Sequence, residues 1–181
     1  TYYRILDYKM ANKNLTLSDL YYGLNWQLPV YLRTLLRSEQ KRQQQPGQIR
    51  PAGMFYISVR ETIQSVLTAN ETPQQDLKLH GLAVLDLEAV GLAEHQLAEN
   101  GGAAQTMGLR IKKDGSFGKT NQGITPEEYD LLQDYIGWQL QQQLMALKGG
   151  VIGHAPLCKE NKLVCEYCDY HSLCGLDQAL T

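Results

Sequence analysis

The sequence predicts an α/β fold, in which a central β-sheet carries helices on its faces. Two stretches have the composition of strands: residues 1–10 mix β-branched and aromatic side chains, and residues 52–59 form a short apolar run between polar neighbours. A third stretch, residues 126–147, carries the start and stop signals of a long helix. Strands and helices that alternate along one chain are typical of this fold class.

Length and composition favour one globular domain. The chain has 181 residues and 43% hydrophobic content, which is enough to bury a single core. The sequence contains neither an apolar run long enough to cross a membrane nor a secretion signal, so we expect a cytoplasmic protein without membrane contact. The net charge of −2 argues against a free-standing DNA binder that is held by electrostatic attraction alone.

The first half of the chain predicts a strand followed by a long helix. Thr16 is a typical helix cap, and Asp19 three residues later favours the positive end of the helix dipole. We predict one helix over residues 17–39 or beyond. Pro29 lies inside this range and should bend the helix, because proline removes one backbone hydrogen bond.

The second half predicts shorter elements and one long helix. Residues 79–90 begin like a strand and pass into a short helical or loop region, and residues 107–113 form a strand that a turn joins to residues 116–120 in a solvent-edged hairpin. Thr125 is the predicted cap of the helix over residues 126–147. Its apolar residues keep helical spacing and are predicted to lie in the core: Tyr129, Leu132, Ile136, Leu140, Leu144 and Leu147.

Four polar residues near the start form the candidate site. Asp7 and Lys9 lie two positions apart on the first predicted strand, so both side chains point to one face while Tyr8 points to the other. Gln27 and Tyr31 lie four positions apart on the predicted helix, which also places them on one face. A carboxylate can hold a hard divalent cation, and a neighbouring lysine can orient water or offset charge on a phosphate. The alternative is an ordinary surface ion pair beside ordinary helix residues.

The chain also ends in a cysteine cluster. Cys158, Cys165, Cys168 and Cys174 all lie in its last part, with two residues between the middle pair and five between the last pair. In a reducing compartment this pattern favours a metal site over disulfides. Four thiolates suit zinc or an iron–sulfur cluster, and the spacing does not choose between them. His171 is either a zinc ligand or a solvated turn residue.

The motif Ile5-Leu6-Asp7-Tyr8-Lys9 with Gln27-x-x-x-Tyr31 resembles the nuclease domains of the RecB family, within the PD-(D/E)XK superfamily. The cysteine cluster narrows the resemblance to the C-terminal nuclease domain of the AddB/RexB subunit of bacterial ATP-dependent helicase–nucleases, over nearly the whole chain. It implies a restriction-endonuclease-like fold: a mixed sheet flanked by helices, here N-terminally truncated.

The resemblance also implies an activity and a partner. It implies Mg²⁺-dependent exonuclease cleavage of DNA in double-strand break repair and recombination, next to an AddA/RexA-type subunit in a heterodimer. In that activity Asp7 would be the Mg²⁺ ligand, Lys9 the catalytic lysine, and Gln27 and Tyr31 would position DNA or Lys9.

For the cysteines, the resemblance implies a [4Fe-4S] cluster. Its ligands would be Cys165, Cys168, Cys174 and one cysteine far upstream, which this chain does not contain; Cys158 is the alternative fourth ligand. Two rival hypotheses remain open. The first is a non-catalytic zinc module that uses all four cysteines, and the second is a catalytically inactive scaffold that binds DNA or protein.

Members of this family also hold their cation with an acidic residue on an earlier strand, which cannot lie in the three residues before Arg4. We therefore expect residues 1–150 to be a partial nuclease domain and residues 151–181 a Cys-rich tail packed on it. We also expect this piece alone to be inactive or nearly so.

Overall fold

The computed structural model describes residues 1–43, 49–59, 78–93, 102–104, 106–151, 153, 157–159, 162–163, 165 and 168–170. Its contacts divide the chain into two compact units, Thr1–Leu140 and Gln141–Thr181. The candidate site lies in the first unit. The predicted division after residue 150 stays a prediction. None of the described helices is both long and apolar enough to cross a membrane.

Eight strands and four helices are present within the described residues. The strands are β1 Tyr2–Lys9, β2 Arg50–Ser58, β3 Leu79–Val84, β4 Gly102–Ala104, β5 Leu109–Ile111, β6 Gly123–Ile124, β7 Cys158–Lys159 and β8 Lys162–Leu163. The helices are α1 Leu17–Tyr21, α2 Gln27–Gln43, α3 Leu87–Ala93 and α4 Pro126–Lys148. The strands predicted at residues 1–10 and 52–59 correspond to β1 and β2.

The central sheet has the order β1-β2-β3-β6. Strand β2 pairs parallel with β1 and antiparallel with β3, while β3 pairs parallel with β6. The predicted fold class, a mixed sheet flanked by helices, is confirmed. Strand β2 is buried along most of its length, as a short apolar run between two neighbouring strands should be.

The two faces of this sheet carry separate cores, because successive side chains of a strand point to opposite sides. On the helical face, β-strand residues such as Met54 and Leu82 pack against the leucines of α1 and α2 and against Tyr129 of α4. On the opposite face, Phe55 and its neighbours pack against α3 and β5. Tyr3 and Ile5 of β1 lie on the helical face and Leu6 on the opposite one.

The prediction of one continuous helix over residues 17–39 is wrong. The chain leaves α1 after one turn and passes through Gly23 and Asn25, whose φ values of 82° and 57° lie in the left-handed region. The indole nitrogen of Trp26 donates to the carbonyl oxygen of Leu20 at 2.8 Å and holds this connection together. The cap by Thr16 is confirmed, since its hydroxyl accepts the backbone N–H of Asp19 at 3.1 Å.

The predicted bend at Pro29 is wrong for the same reason. Because α2 begins at Gln27, Pro29 is the third residue of the helix and lies in its first turn. A first-turn N–H has no partner within the helix, so a proline there removes no hydrogen bond. The interruption between α1 and α2 therefore places Gln27 at the start of α2.

Helix α4 confirms the prediction over residues 126–147. Thr125 and Glu128 form a reciprocal cap: the Thr125 hydroxyl accepts the N–H of Glu128 at 3.2 Å, and the Glu128 carboxylate accepts the N–H of Thr125 at 2.8 Å. The residues predicted to lie in the core are buried or partly buried only in the first half of the helix. Tyr129 and Ile136 are buried and Leu132 is partly buried.

Three other predicted core residues of α4 are exposed. The exposed fractions are 38% for Leu140, 53% for Leu144 and 72% for Leu147. Helical spacing determines which residues share a face, but it does not determine how far along the helix that face is covered. The predicted hairpin turn is present, with Ile111 bridged to Phe117. The predicted solvent-exposed edge is wrong for β5, because its other edge pairs with β4.

Candidate active site

The candidate site begins with Asp7 and Lys9 near the end of β1. Both side chains lie on the same side of the strand, and Lys9 Nζ is 2.8 Å from Asp7 Oδ2. Tyr8 between them is 66% exposed. The side chains of Lys9 and Asp7 are 30% and 24% exposed, so they form a partly buried pair at the rim of the helical face.

The start of α2 adds two further polar groups to this pair. Lys9 Nζ donates to Gln27 Oε1 at 3.2 Å, and Gln27 Nε2 donates to Tyr31 Oη at 3.4 Å. Asp7, Lys9, Gln27 and Tyr31 therefore form one continuous polar chain between β1 and α2. The structure brings together all four residues singled out in the sequence, while their chemical roles stay predictions.

One oxygen of Asp7 is under-satisfied. Asp7 Oδ2 has almost no accessible surface and, within the described residues, no hydrogen bond with regular geometry, although Lys9 Nζ lies within ion-pair distance. The short distance gives an electrostatic contact, but the ammonium does not approach along a direction that makes a good hydrogen bond. An ionised carboxylate has about four acceptor positions. Asp7 thus keeps acceptor capacity for a cation or a donor.

Tyr56 and Lys13 belong to the same neighbourhood, although no motif in the sequence marks them. Tyr56 pairs in register with Asp7 on the adjacent parallel strand and is 1% exposed. The ammonium groups of Lys9 and Lys13 lie 5.6 and 5.1 Å from the centroid of its ring. Both distances are in the range of cation–π contacts. The pairing of β1 with β2 is a long-range contact, and no local sequence signal predicts it.

The hydroxyl of Tyr56 is also buried, and it has no hydrogen-bond partner within the described residues. Burial raises the pKa of Tyr56, and the negative charge of Asp7 raises it further. Tyr56 therefore remains a neutral phenol at physiological pH. Its ring is the part that contacts the site.

A second acidic pair has a structural explanation. Asp86 caps α3 by accepting the backbone N–H of Glu88 at 2.9 Å and of Ala89 at 3.2 Å. The hydroxyl of Tyr2 is 3.0 Å from the Asp86 carboxylate and 2.8 Å from that of Glu88. Burial, together with the hydrogen bonds to Glu88 and Asp86, raises the pKa of Tyr2 to about 12.

Two of the arginines on α2 make contacts within the protein. Arg33 Nη1 donates to the carbonyl oxygen of Gln133 at 2.6 Å, and burial lowers the pKa of Arg33. Arg42 pairs with Glu39 at 2.6 Å. These contacts explain both side chains without a nucleic acid.

The cysteine cluster is described only in part. Cys165 is half-buried and Cys168 is exposed, and both are free thiols. The backbone N–H of Cys168 donates to the carbonyl oxygen of Cys165 at 2.9 Å, so the backbones of these two cysteines lie close together. Cys158 begins β7. Cys174 and His171 lie outside the described residues. Among the residues that the structure describes, no three His, Cys, Asp or Glu side chains are grouped as a metal site.

Comparison with protein families gives an independent result. A model described as the PD-(D/E)XK nuclease superfamily matches residues 1–175. The chain belongs to the PD-(D/E)XK nuclease superfamily. This confirms the family that the Asp-x-Lys and Gln-x-x-x-Tyr motifs indicated. The mixed sheet with its flanking helices is the fold that this membership predicts.

Curated relatives of the chain are each named as one subunit of an ATP-dependent helicase/deoxyribonuclease. The protein from Clostridium novyi (strain NT) is 34% identical over 182 residues, that from Thermoanaerobacter sp. (strain X514) 33% over 183, and that from Bacillus anthracis 31% over 186. The alignments cover 97–99% of this chain. They cover only 15% or 16% of the relatives, so the chain spans about one sixth of their length.

Proposed function

We propose that this domain cleaves DNA phosphodiester bonds in a Mg²⁺-dependent exonuclease reaction. It would act within a subunit of the AddB/RexB type, next to an AddA/RexA-type partner, in the bacterial cytoplasm during double-strand break repair and recombination. The observation that carries the proposal is the polar chain from Asp7 to Tyr31, because it joins an under-satisfied carboxylate to an ammonium held by two partners. Membership in a nuclease superfamily and the relatives' name support the same activity.

Asp7 fits the metal in the type of donor it offers. Its Oδ2 is a buried carboxylate oxygen that accepts no hydrogen bond from the residues that the structure describes, and Mg²⁺ prefers oxygen ligands. Protein sites often bind Mg²⁺ through one or two carboxylates, with water and substrate phosphate completing the shell. When bound, Mg²⁺ polarises the phosphoryl group and makes bound water a better nucleophile.

Lys9 acts as a positioned positive charge. An ammonium has three N–H donors; one is donated to Gln27, while Asp7 holds the group as an ion pair at 2.8 Å. A further N–H is available for a phosphate oxygen, where negative charge increases during cleavage. Gln27 fixes the ammonium and is itself held by Tyr31, so both act on the substrate through Lys9.

The direct test is degradation of linear DNA by Asp7→Asn in the natural polypeptide. This change keeps the shape of the side chain but removes its charge, and we expect cleavage to fall at least about 100-fold. Asp130→Asn is the matched control, because Asp130 is an exposed carboxylate of α4. Unchanged Mg²⁺-dependent cleavage by Asp7→Asn would refute the proposal. The same assay on the 181-residue chain alone tests the expectation that this piece is inactive.

For the cysteine cluster we propose a [4Fe-4S] cluster bound by Cys165, Cys168 and Cys174, with the fourth cysteine outside this chain or at Cys158. The backbone hydrogen bond between Cys168 and Cys165 supports a shared metal site, because it keeps two ligands that are separated by two residues close together. Elemental analysis of anaerobically purified protein separates the hypotheses. Iron and sulfide with visible absorbance support the cluster, whereas stoichiometric zinc would support the structural zinc module.

A further inference from the structure

Lys13 brings a second positive charge to the candidate site. It lies in the connection between β1 and α1, and its side chain is half-buried rather than extended into solvent. Its ammonium lies 5.1 Å from the centroid of the Tyr56 ring, closer than that of Lys9. The two ammonium groups can be no farther apart than the sum of their distances to the ring. Lys13 and Lys9 therefore both lie next to the same aromatic ring.

The charges around this ring do not balance. The negative charge of Asp7 is paired with Lys9 at 2.8 Å. Within the described part of the chain, no carboxylate lies within ion-pair distance of Lys13. An aromatic ring attracts a cation weakly at such sites, and it leaves the N–H donors of the ammonium without acceptors. The site thus has one excess positive charge, which is suited to an anion.

We propose that Lys13 binds a backbone phosphate of the DNA strand that enters the site, next to the phosphate at Asp7 and Lys9. The inference rests on the proposed nuclease function and names a substrate-binding residue for it. The buried ring of Tyr56 lies within cation–π distance of both ammonium groups. A contact to a neighbouring phosphate is independent of base sequence and holds the strand in register for cleavage.

The first test is residue-resolved and needs no metal. The natural polypeptide is labelled with an amine-reactive ester in EDTA, with and without a short single-stranded oligodeoxynucleotide, and each lysine is quantified by mass spectrometry. We expect DNA to slow the labelling of Lys13 at least about threefold, because a bound phosphate occupies the ammonium. Lys113, an exposed lysine beside the β5 turn, is the internal control and should not change. Equal labelling of Lys13 with and without bound DNA would overturn the proposal.

The second test uses cleavage kinetics of Lys13→Gln against the matched charge-removing control Lys113→Gln. We expect KM for single-stranded DNA to rise about five- to tenfold in Lys13→Gln, with a small change in kcat. The salt dependence of kcat/KM should also become less steep by about 0.7 in the logarithmic slope, the value for one phosphate contact on a single strand. Lys13→Arg should restore most of the affinity, since it keeps the charge.

A KM for Lys13→Gln equal to that of Lys113→Gln would overturn the phosphate contact and leave the proposed cleavage intact. Failure of the proposed nuclease function would be detected separately, because DNA cleavage would then survive Asp7→Asn.

Discussion

The two faces of the central sheet are built from the same strands but differ in whether they bury polar atoms without hydrogen bonds. On the opposite face, the buried residues in contact are apolar: Phe55, Ile57, Leu79, Ala83, Val90, Met107, Leu109 and Ile111. On the helical side, five buried side-chain atoms lack a hydrogen bond within the described residues: Asp7 Oδ2, Tyr56 Oη, Tyr129 Oη and both amide atoms of Gln133. For the four of these atoms that have no ion pair, the cost is about 1–3 kcal/mol each relative to a satisfied group.

This difference separates stability from function. A face that buries only apolar groups gains free energy from every residue, at about 1.5–3 kcal/mol for each fully buried large side chain. A face that keeps polar atoms under-satisfied gives up part of that gain, and functional sites are where such groups concentrate. Asp7 and Lys9 lie at the rim of the second kind of face. Mutations on the two faces should therefore have different consequences.

The largest expected effect is on stability, at the opposite face. Phe55→Ala removes a ring that is 1% exposed and should lower the free energy of unfolding by about 3–5 kcal/mol. Urea denaturation measures this change. On the helical face, Asp7→Asn should stay within about 1 kcal/mol of the unaltered protein, because its ion pair is partly exposed. Equal losses in the two variants would contradict the comparison.

The next effect is on activity, at the helical face. Lys9→Met keeps most of the aliphatic chain but removes the ammonium between Asp7 and Gln27, and we expect kcat for DNA cleavage to fall about 100-fold, or about 2.7 kcal/mol. Single-turnover cleavage measures the chemical step. Lys119→Met is the control for loss of one charge. If Lys9→Met kept its kcat and lost only substrate affinity, Lys9 would be a binding residue and not a catalytic one.

The smallest effect is the response of the helical face to alkali. Burial raises the pKa of Tyr129, with a further contribution from the charge of Asp130. Below about pH 10, the pKa of tyrosine in an unfolded chain, Tyr129 is neutral in both states and its contribution to stability is complete. Above that pH the unfolded state loses the proton first, so stability falls as pH rises towards the folded-state pKa.

Tyr129→Phe removes the phenol proton that causes this pH dependence of stability. The decline in the free energy of unfolding above about pH 10 should become less steep by up to about 1.4 kcal/mol per pH unit. Urea denaturation at several alkaline pH values measures the slope. Tyr170→Phe is the control, since Tyr170 is 70% exposed. An identical slope in Tyr129→Phe would mean that the phenol is not desolvated in the folded protein.

Much of the fold and the candidate site was predictable from local patterns. The two-residue period of a strand places the side chains of Asp7 and Lys9 on one side, where Lys9 Nζ and Asp7 Oδ2 lie 2.8 Å apart. The four-residue spacing of Gln27 and Tyr31 likewise brings their side chains together, even though the predicted helix proved to be two. Cap residues predicted the start of α4. These features depend on backbone geometry over a few residues, which the sequence contains directly.

The remaining features depend on contacts between distant parts of the chain. The sequence did not predict that β2 pairs in parallel with β1, which places Tyr56 beside Asp7 and under the ammonium of Lys13. It also did not predict the exposure of Leu144, because helical spacing cannot tell what covers a face. The sequence by itself therefore determined most of the local elements and the four polar residues of the site. Only the tertiary structure decided their neighbours, since strand pairing and burial are properties of the packed chain as a whole.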